Sequence, residues 1–155
     1  HINYGCQLWG LNNNAYINII QKLQNWAIRK ITFTNPLVNV SPIYKDLNII
    51  KFNDLIHLQN CILMYQFEKG LLPEAFKNFS SIVNYGNHHH TRAVSEGLHA
   101  IPTINTHLYG LHSIQYTCIK DWNNFKRLFP SHIGPTLTKN KVKCLFKTQV
   151  FQLYT

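Results

Sequence analysis

The sequence predicts a mainly α-helical fold: a small helical assembly with one irregular insertion, where short strands can form, around residues 80–110. Three observations predict this fold. Apolar residues recur at helical spacing in three long segments. Asn, Pro and Gly stand at the ends of those segments, where helices start and stop. Apolar residues make up 45% of the chain and aromatic residues 13%, which is enough to bury a core and excludes intrinsic disorder.

The first complete helix is predicted over residues 15–33, after an Asn-rich turn that supplies an N-cap. Residues 4–11 are expected to be the end of an earlier helix. Because the chain begins with His1, we expect it to be a piece of a longer protein. The apolar stripe expected to face the core holds Ile17, Ile20, Leu23, Ala27, Ile28 and Ile31. A polar stripe on another side holds Asn18, Lys22, Asn25 and Arg29.

One long helix and two short ones are predicted in the middle of the chain. Pro42 can open a short helix over residues 43–47. A long helix is predicted over residues 54–69, with Asn53 as N-cap and Gly70 as stop signal. A third, short helix is predicted from Pro73 to residue 79. The inner stripe of the long helix holds Leu55, Leu58, Ile62 and Tyr65.

The last third is less regular. Short strands are expected around residues 98–101, and residues 111–125 fit either a helix or a strand. A final helix is predicted over residues 137–153. Its inner face holds Val142, Leu145, Phe146, Val150 and Leu153. The expected segments are 1–79, 80–110 and a basic segment 111–155, which can together form one continuous domain.

Basic residues outnumber acidic ones 15 to 6, which gives a net charge of +9. The net charge is +3 over residues 1–35, zero over 36–119 and +6 over 120–155, so the excess lies at the two ends. Basic side chains with few acids nearby attract phosphate. The alternatives are an ordinary solvated helix face and a codon bias toward lysine. The candidate nucleic-acid-binding residues are Lys22, Arg29, Lys30, Lys139, Lys143 and Lys147.

Several kinds of catalytic and metal site are not expected. The six acids are scattered, so a two-metal phosphoryl-transfer site is not expected. The four cysteines form no C-x-x-C pair and are expected to be reduced and mostly buried, and the run His88–His90 is expected to be a polar loop. No segment is apolar enough to span a membrane. We therefore predict no catalytic, metal or cofactor residues, and we place three tryptophans in the core: Trp9, Trp26 and Trp122.

Short motifs occur at Tyr4–Gly10, at 20–31, 42–49, 58–65 and 70–73, and at Thr91-Arg92 and Trp122-Asn123. Their order along the chain resembles that in the non-LTR (LINE-type, jockey-like) retrotransposon reverse transcriptases. Tyr4–Gly10 is similar to the Y-G-x-x-x-W-G signature that follows the palm in this family. The similarity continues through the segments 20–31, 42–49, 58–65 and 70–73, and through Thr91-Arg92 and Trp122-Asn123. The sequence departs from the family at 125–130, where the family has Leu-Pro directly after its W-N pair.

The resemblance implies a non-catalytic region C-terminal to the polymerase active site, with a thumb-like segment over 1–79. The family's catalytic aspartates, and the Mg²⁺ that they bind, are expected in a palm that this chain lacks. The implied partners are RNA, RNA–DNA hybrid or DNA, and the rest of the polymerase, with no membrane. The implied location is the nucleus and a cytoplasmic ribonucleoprotein. The alternative is a structural or protein-interaction module that does not contact nucleic acid.

Overall fold

The computed structural model describes residues 5–6, 14–82, 95–106, 110–111 and 113–154. This part of the chain is mainly helical, which confirms the predicted fold class. Its five α-helices are α1 (Asn14–Thr32), α2 (Ser41–Asp46), α3 (Phe52–Glu68), α4 (Ile114–Leu128) and α5 (Lys139–Gln152). Short 3-10 helices lie at Glu74–Phe76 and Pro130–His132.

The chain divides into two compact units. Unit 1 combines His1–Gln59 with Lys143–Thr155, and unit 2 is the continuous stretch Asn60–Val142. Unit 1 therefore joins the first part of the sequence to the last, through contacts that are distant along the chain.

The core of unit 1 forms around the start of α3. Cys6, Phe52 and Ile56 are buried together there, and Ile17 and Ile20 of α1 pack against them. The backbone N–H groups in the first turn of a helix have no partner within the helix, so a buried helix start needs acceptors from elsewhere.

Glutamines of α1 supply those acceptors. The side-chain oxygen of Gln24 accepts a hydrogen bond from the N–H of Phe52 at 2.8 Å, and that of Gln21 accepts from Asn53 at 3.4 Å. The hydroxyl of Tyr154 accepts from the N–H of Lys51 at 2.9 Å. Side chains from both ends of the sequence thus cap α3.

Because of this capping, the side of α1 that faces the core differs from the predicted one. Gln21 and Asn25 also bond the hydroxyl of Tyr44, at 3.1 and 2.8 Å. Because the amide side chains turn toward α2 and α3, the inward side is rotated away from the predicted apolar stripe. Of that stripe Ile28 is buried, whereas Leu23 and Ile31 are exposed, so the predicted inner face of α1 is wrong in part.

The core of unit 2 is built on α3 and α4. Trp122 is fully buried, as predicted, and its ring stacks on Phe125 with 5.4 Å between centroids. Asn60, also fully buried, donates to the carboxylate of Asp121 at 2.7 Å and accepts from the thiol of Cys118 at 3.3 Å. The polar groups in this core are therefore paired, as buried polar groups need to be.

The predictions for the remaining elements had mixed outcomes. Residues 114–128 form a helix, capped by the Ser113 hydroxyl, so the strand alternative there is wrong. The expected short helix after Pro73 is reduced to Glu74–Phe76. The insertion has one isolated antiparallel bridge among the described residues, between Ile82 and His99, near the expected strand.

The predicted burial of the tryptophans and cysteines is found for some of these residues and not for others. Trp26 is 60% exposed, so its assignment to the core is wrong, and Trp9 lies outside the described residues. Cys6, Cys61 and Cys118 are buried, as expected of most of the cysteines, whereas Cys144 is exposed. Burial raises the pKa of the Cys61 and Cys118 thiols, which keeps both protonated.

Candidate nucleic-acid interface

Unit 1 has the larger imbalance of charge. It contains seven Lys and Arg against two Asp, a net charge of +5. Unit 2 contains eight Lys and Arg against four Asp and Glu, a net charge of +4. The ratio of base to acid is therefore highest in unit 1, where three of the six candidate residues lie on α1.

Two of the three α1 candidates extend into solvent. Lys22 and Lys30 are exposed, and the ammonium of Lys30 lies 5.8 Å from the centroid of the Trp26 ring. Arg29 is partly buried, and its Nη2 donates to the carbonyl of Val38 at 3.3 Å. Lys22 and Lys30 are thus available to an anion, whereas Arg29 also holds the loop that follows α1.

The three α5 candidates differ in a similar way. Lys139, in unit 2, and Lys143, in unit 1, are exposed. Lys147 is half-buried, and its ammonium donates to the backbone and side-chain oxygens of Asn48, each at 3.3 Å. Lys147 therefore ties α5 to the end of α2 within unit 1.

The carboxylates of unit 1 do not neutralise the exposed lysines. Asp54 accepts a hydrogen bond from the hydroxyl of Tyr154. Within the described ranges, no carboxylate forms an ion pair with Lys22, Lys30 or Lys143. Unpaired cations with no acid beside them favour binding of phosphate groups.

Unit 2 contains a polar cluster that the sequence did not reveal. One carboxylate oxygen of Glu68 contacts three donors: the Nε2 of His99 at 2.6 Å, the indole N–H of Trp122 at 2.8 Å and the ammonium of Lys126 at 2.6 Å. Burial acts to raise the pKa of Glu68, but these hydrogen bonds outweigh it and lower the pKa to about 2. Glu68 is therefore ionised at neutral pH.

The cluster extends to Ser80, whose hydroxyl lies 2.8 Å from the Nδ1 of His99. Ser80, His99 and Glu68 thus stand in the order of a Ser-His-acid relay. Lys126 also donates to the carbonyl of Gly97 at 2.8 Å, and His99 is buried. These contacts tie α3 and α4 to the insertion, so we interpret the cluster as a structural crosslink of unit 2.

Sequence reasoning missed this cluster because its members are far apart along the chain. Trp122 and Lys126 stand four residues apart on α4, and that spacing is the one local signal. No periodic pattern in the sequence predicts that the segments containing Glu68 and His99 pack against each other.

Among the described residues, no three His, Cys, Asp or Glu side chains come close enough together to hold a metal ion. None of the described helices has the length and apolar character that a membrane span requires. The run His88–His90 and the pair Thr91-Arg92 lie outside the described residues.

The fold and the charge distribution thus define a basic, mainly helical protein with exposed lysines on α1 and α5. Comparison of the chain with protein-family models, with curated proteins and with solved structures finds no match. The resemblance to non-LTR reverse transcriptases rests on the sequence motifs alone.

Proposed function

We propose that this chain is a non-catalytic, C-terminal region of a non-LTR retrotransposon reverse transcriptase that binds the backbone of RNA or of an RNA–DNA hybrid. The six residues proposed to contact phosphates are Lys22, Arg29, Lys30, Lys139, Lys143 and Lys147. The observation that supports this proposal most directly is the exposure of Lys22, Lys30 and Lys143, with no carboxylate paired to them among the residues that the structure describes.

Backbone contact is the mode of recognition that these side chains suit. A lysine ammonium is a point charge on a flexible stem, and it contacts phosphate without reading a base. A hybrid with A-like geometry offers side chains a narrow, deep major groove, so its backbone is the accessible feature. We therefore propose binding that depends little on sequence.

The chemistry of polymerisation is assigned to the rest of the parent protein. Among the described residues no group of three His, Cys, Asp or Glu side chains could hold a metal ion, and Glu68 contacts three donors within the chain. The proposed role is to help hold the template and primer, in the nucleus and in a cytoplasmic ribonucleoprotein.

The test is an equilibrium titration of the whole chain with a fluorescent RNA–DNA hybrid at low salt. The variant Lys22→Gln/Lys30→Gln is expected to bind at least tenfold more weakly, because it loses two phosphate contacts. The control is Lys77→Gln/Lys120→Gln, which makes the same change of charge on exposed lysines of unit 2. It is expected to bind within about threefold of the wild type.

Equal losses in the two double variants would show that net charge alone attracts the hybrid. Unchanged affinity in both would favour the alternative, in which this region joins parts of the polymerase without contacting nucleic acid. Either result would contradict the proposal.

A further inference from the structure

The outward side of α1 carries a row of large apolar side chains. Tyr16, Ile19, Leu23 and Trp26 are each between 52 and 65% exposed, and we call these four residues the outward stripe. Single exposed apolar residues are ordinary on protein surfaces, but a continuous row of them marks a site of interaction. The inward side of the same helix already has its partners in α2 and α3.

The spacing of the outward stripe is that of a helix-pairing seam. Its members follow one another at steps of three, four and three residues, and Lys30 stands at the next step of four. Alternating steps of three and four repeat every seven residues, which is the period that keeps one line of side chains against a second helix. At 100° per residue the stripe spans an arc of about 80°, narrower than the broad apolar face of a helix that lies in a membrane surface.

Two further large apolar side chains are exposed after the end of α1. Phe33 follows the helix with a φ of 53°, a left-handed conformation that favours glycine, and its side chain is 95% exposed. Leu37, in the next loop, is also almost fully exposed. A large aromatic residue at this position gains little burial within the chain.

The charge of α1 indicates the kind of partner. The helix contains no Asp or Glu in its 19 residues, whereas Lys22 and Lys30 are exposed on the same side as the outward stripe. A second copy of the chain would bring lysines against lysines, which is unfavourable. An acidic helix would place carboxylates against them, as in coiled coils whose flanking charges select the partner.

We propose that the outward stripe of α1 is a docking surface for an amphipathic helix of a partner protein, one whose apolar seam is flanked by acidic side chains. Leu23 lies near the centre of the contact, and Lys22 and Lys30 pair with acids of the partner. The contact uses Lys22 and Lys30, which the proposed function assigns to phosphates, and it differs from the contact with nucleic acid in requiring the apolar side chains.

The test uses the whole chain and two labelled 21-residue helical peptides, both with Leu at the seam positions. One peptide carries Glu at the flanking positions and the other carries Lys. Fluorescence anisotropy is expected to show at least tenfold tighter binding of the Glu peptide. Leu23→Ala is expected to weaken that binding at least fivefold, since it removes an apolar contact from the centre of the seam.

The matched control is Leu128→Ala, which truncates an exposed leucine at the end of α4 in unit 2 and should leave peptide affinity unchanged. The hybrid-binding titration keeps this proposal distinct from the proposed function. Leu23→Ala is expected to retain hybrid affinity, because both lysines remain.

Three results would overturn the proposal. One is equal affinity for the two peptides, and another is equal loss in Leu23→Ala and Leu128→Ala. The third is that Leu23→Ala leaves peptide binding unchanged but abolishes another interaction of the chain. Loss of binding to phosphatidylserine vesicles would assign the stripe to a membrane surface, and loss of a dimer seen by sedimentation would assign it to a second copy.

Discussion

In unit 2 the carboxylate of Glu68 lies against Lys126 and His99. In unit 1 Lys22 and Lys30 extend into solvent, and none of the described carboxylates forms an ion pair with them. The two units also differ in how they hold their elements together. Unit 2 uses charged groups around one oxygen, and unit 1 uses neutral amides and hydroxyls, from Gln21, Gln24 and Tyr154, at the start of α3.

This difference separates the charges that stabilise the fold from those available to a partner. A charge that is paired and buried contributes to folding and is expensive to remove. An exposed charge with no partner contributes little to stability, so its removal should change binding alone.

The largest effect is expected from Glu68→Gln, which leaves the buried ammonium of Lys126 without a compensating charge. We expect a loss of about 3 kcal/mol in the free energy of unfolding, measured by urea denaturation. The matched control is Glu74→Gln. Glu74 forms an exposed ion pair with Lys77, so this change should lower the free energy of unfolding by less than about 0.5 kcal/mol. Similar losses in the two variants would remove the distinction between the buried and the exposed pair.

A second effect follows from the low pKa of Glu68. The pKa in the folded state is about 2, below its ordinary value of 4.5, so the carboxylate stabilises the fold above pH 4.5. That contribution is lost as the pH falls from 4.5 toward 2. The difference in stability between the wild type and Glu68→Gln should therefore shrink over this interval, as followed by urea denaturation at each pH. A difference that stays constant would show that the carboxylate keeps its ordinary pKa.

Tyr154→Phe in unit 1 is expected to lower the free energy of unfolding by about 1–2 kcal/mol. The change removes the hydroxyl that accepts from the N–H of Lys51 and donates to Asp54. The control Tyr16→Phe removes a hydroxyl from an exposed tyrosine of the same unit and should have no measurable effect. If Tyr154→Phe were equally neutral in urea denaturation, the hydroxyl would not cap α3.

Phe33→Gly is expected to raise the free energy of unfolding by about 0.5–1 kcal/mol, because glycine adopts the left-handed conformation of residue 33 without strain. Phe33→Ala keeps a side chain at the same φ and should give no such gain. Equal melting temperatures of Phe33→Gly and Phe33→Ala would contradict this explanation.

The smallest change in stability is expected from Lys22→Gln/Lys30→Gln. Both side chains are exposed, so the free energy of unfolding should stay within about 0.5 kcal/mol of the wild type. A larger loss would mean that these lysines stabilise unit 1, and that reduced binding reflects unfolding.

The sequence predicted the helices better than their orientation. α3 and α5 lie close to their predicted bounds because periodic apolar residues and Gly70 mark them. The inward side of α1 was misjudged because Gln21 and Gln24 act as distant caps, and nothing in a local pattern distinguishes a capping glutamine from a solvated one. The candidate lysines were identifiable from charge alone, whereas the Glu68 cluster depends on contacts between distant segments.

The most direct test of the central claim, that the unpaired lysines bind phosphates, is the salt dependence of hybrid binding. The logarithm of the association constant should fall linearly with the logarithm of salt concentration, with a slope of about −0.9 for each phosphate contacted. For Lys22→Gln/Lys30→Gln the slope should be shallower by about 2 units, whereas Lys77→Gln/Lys120→Gln should keep the wild-type slope. Equal slopes in all three proteins would contradict the claim.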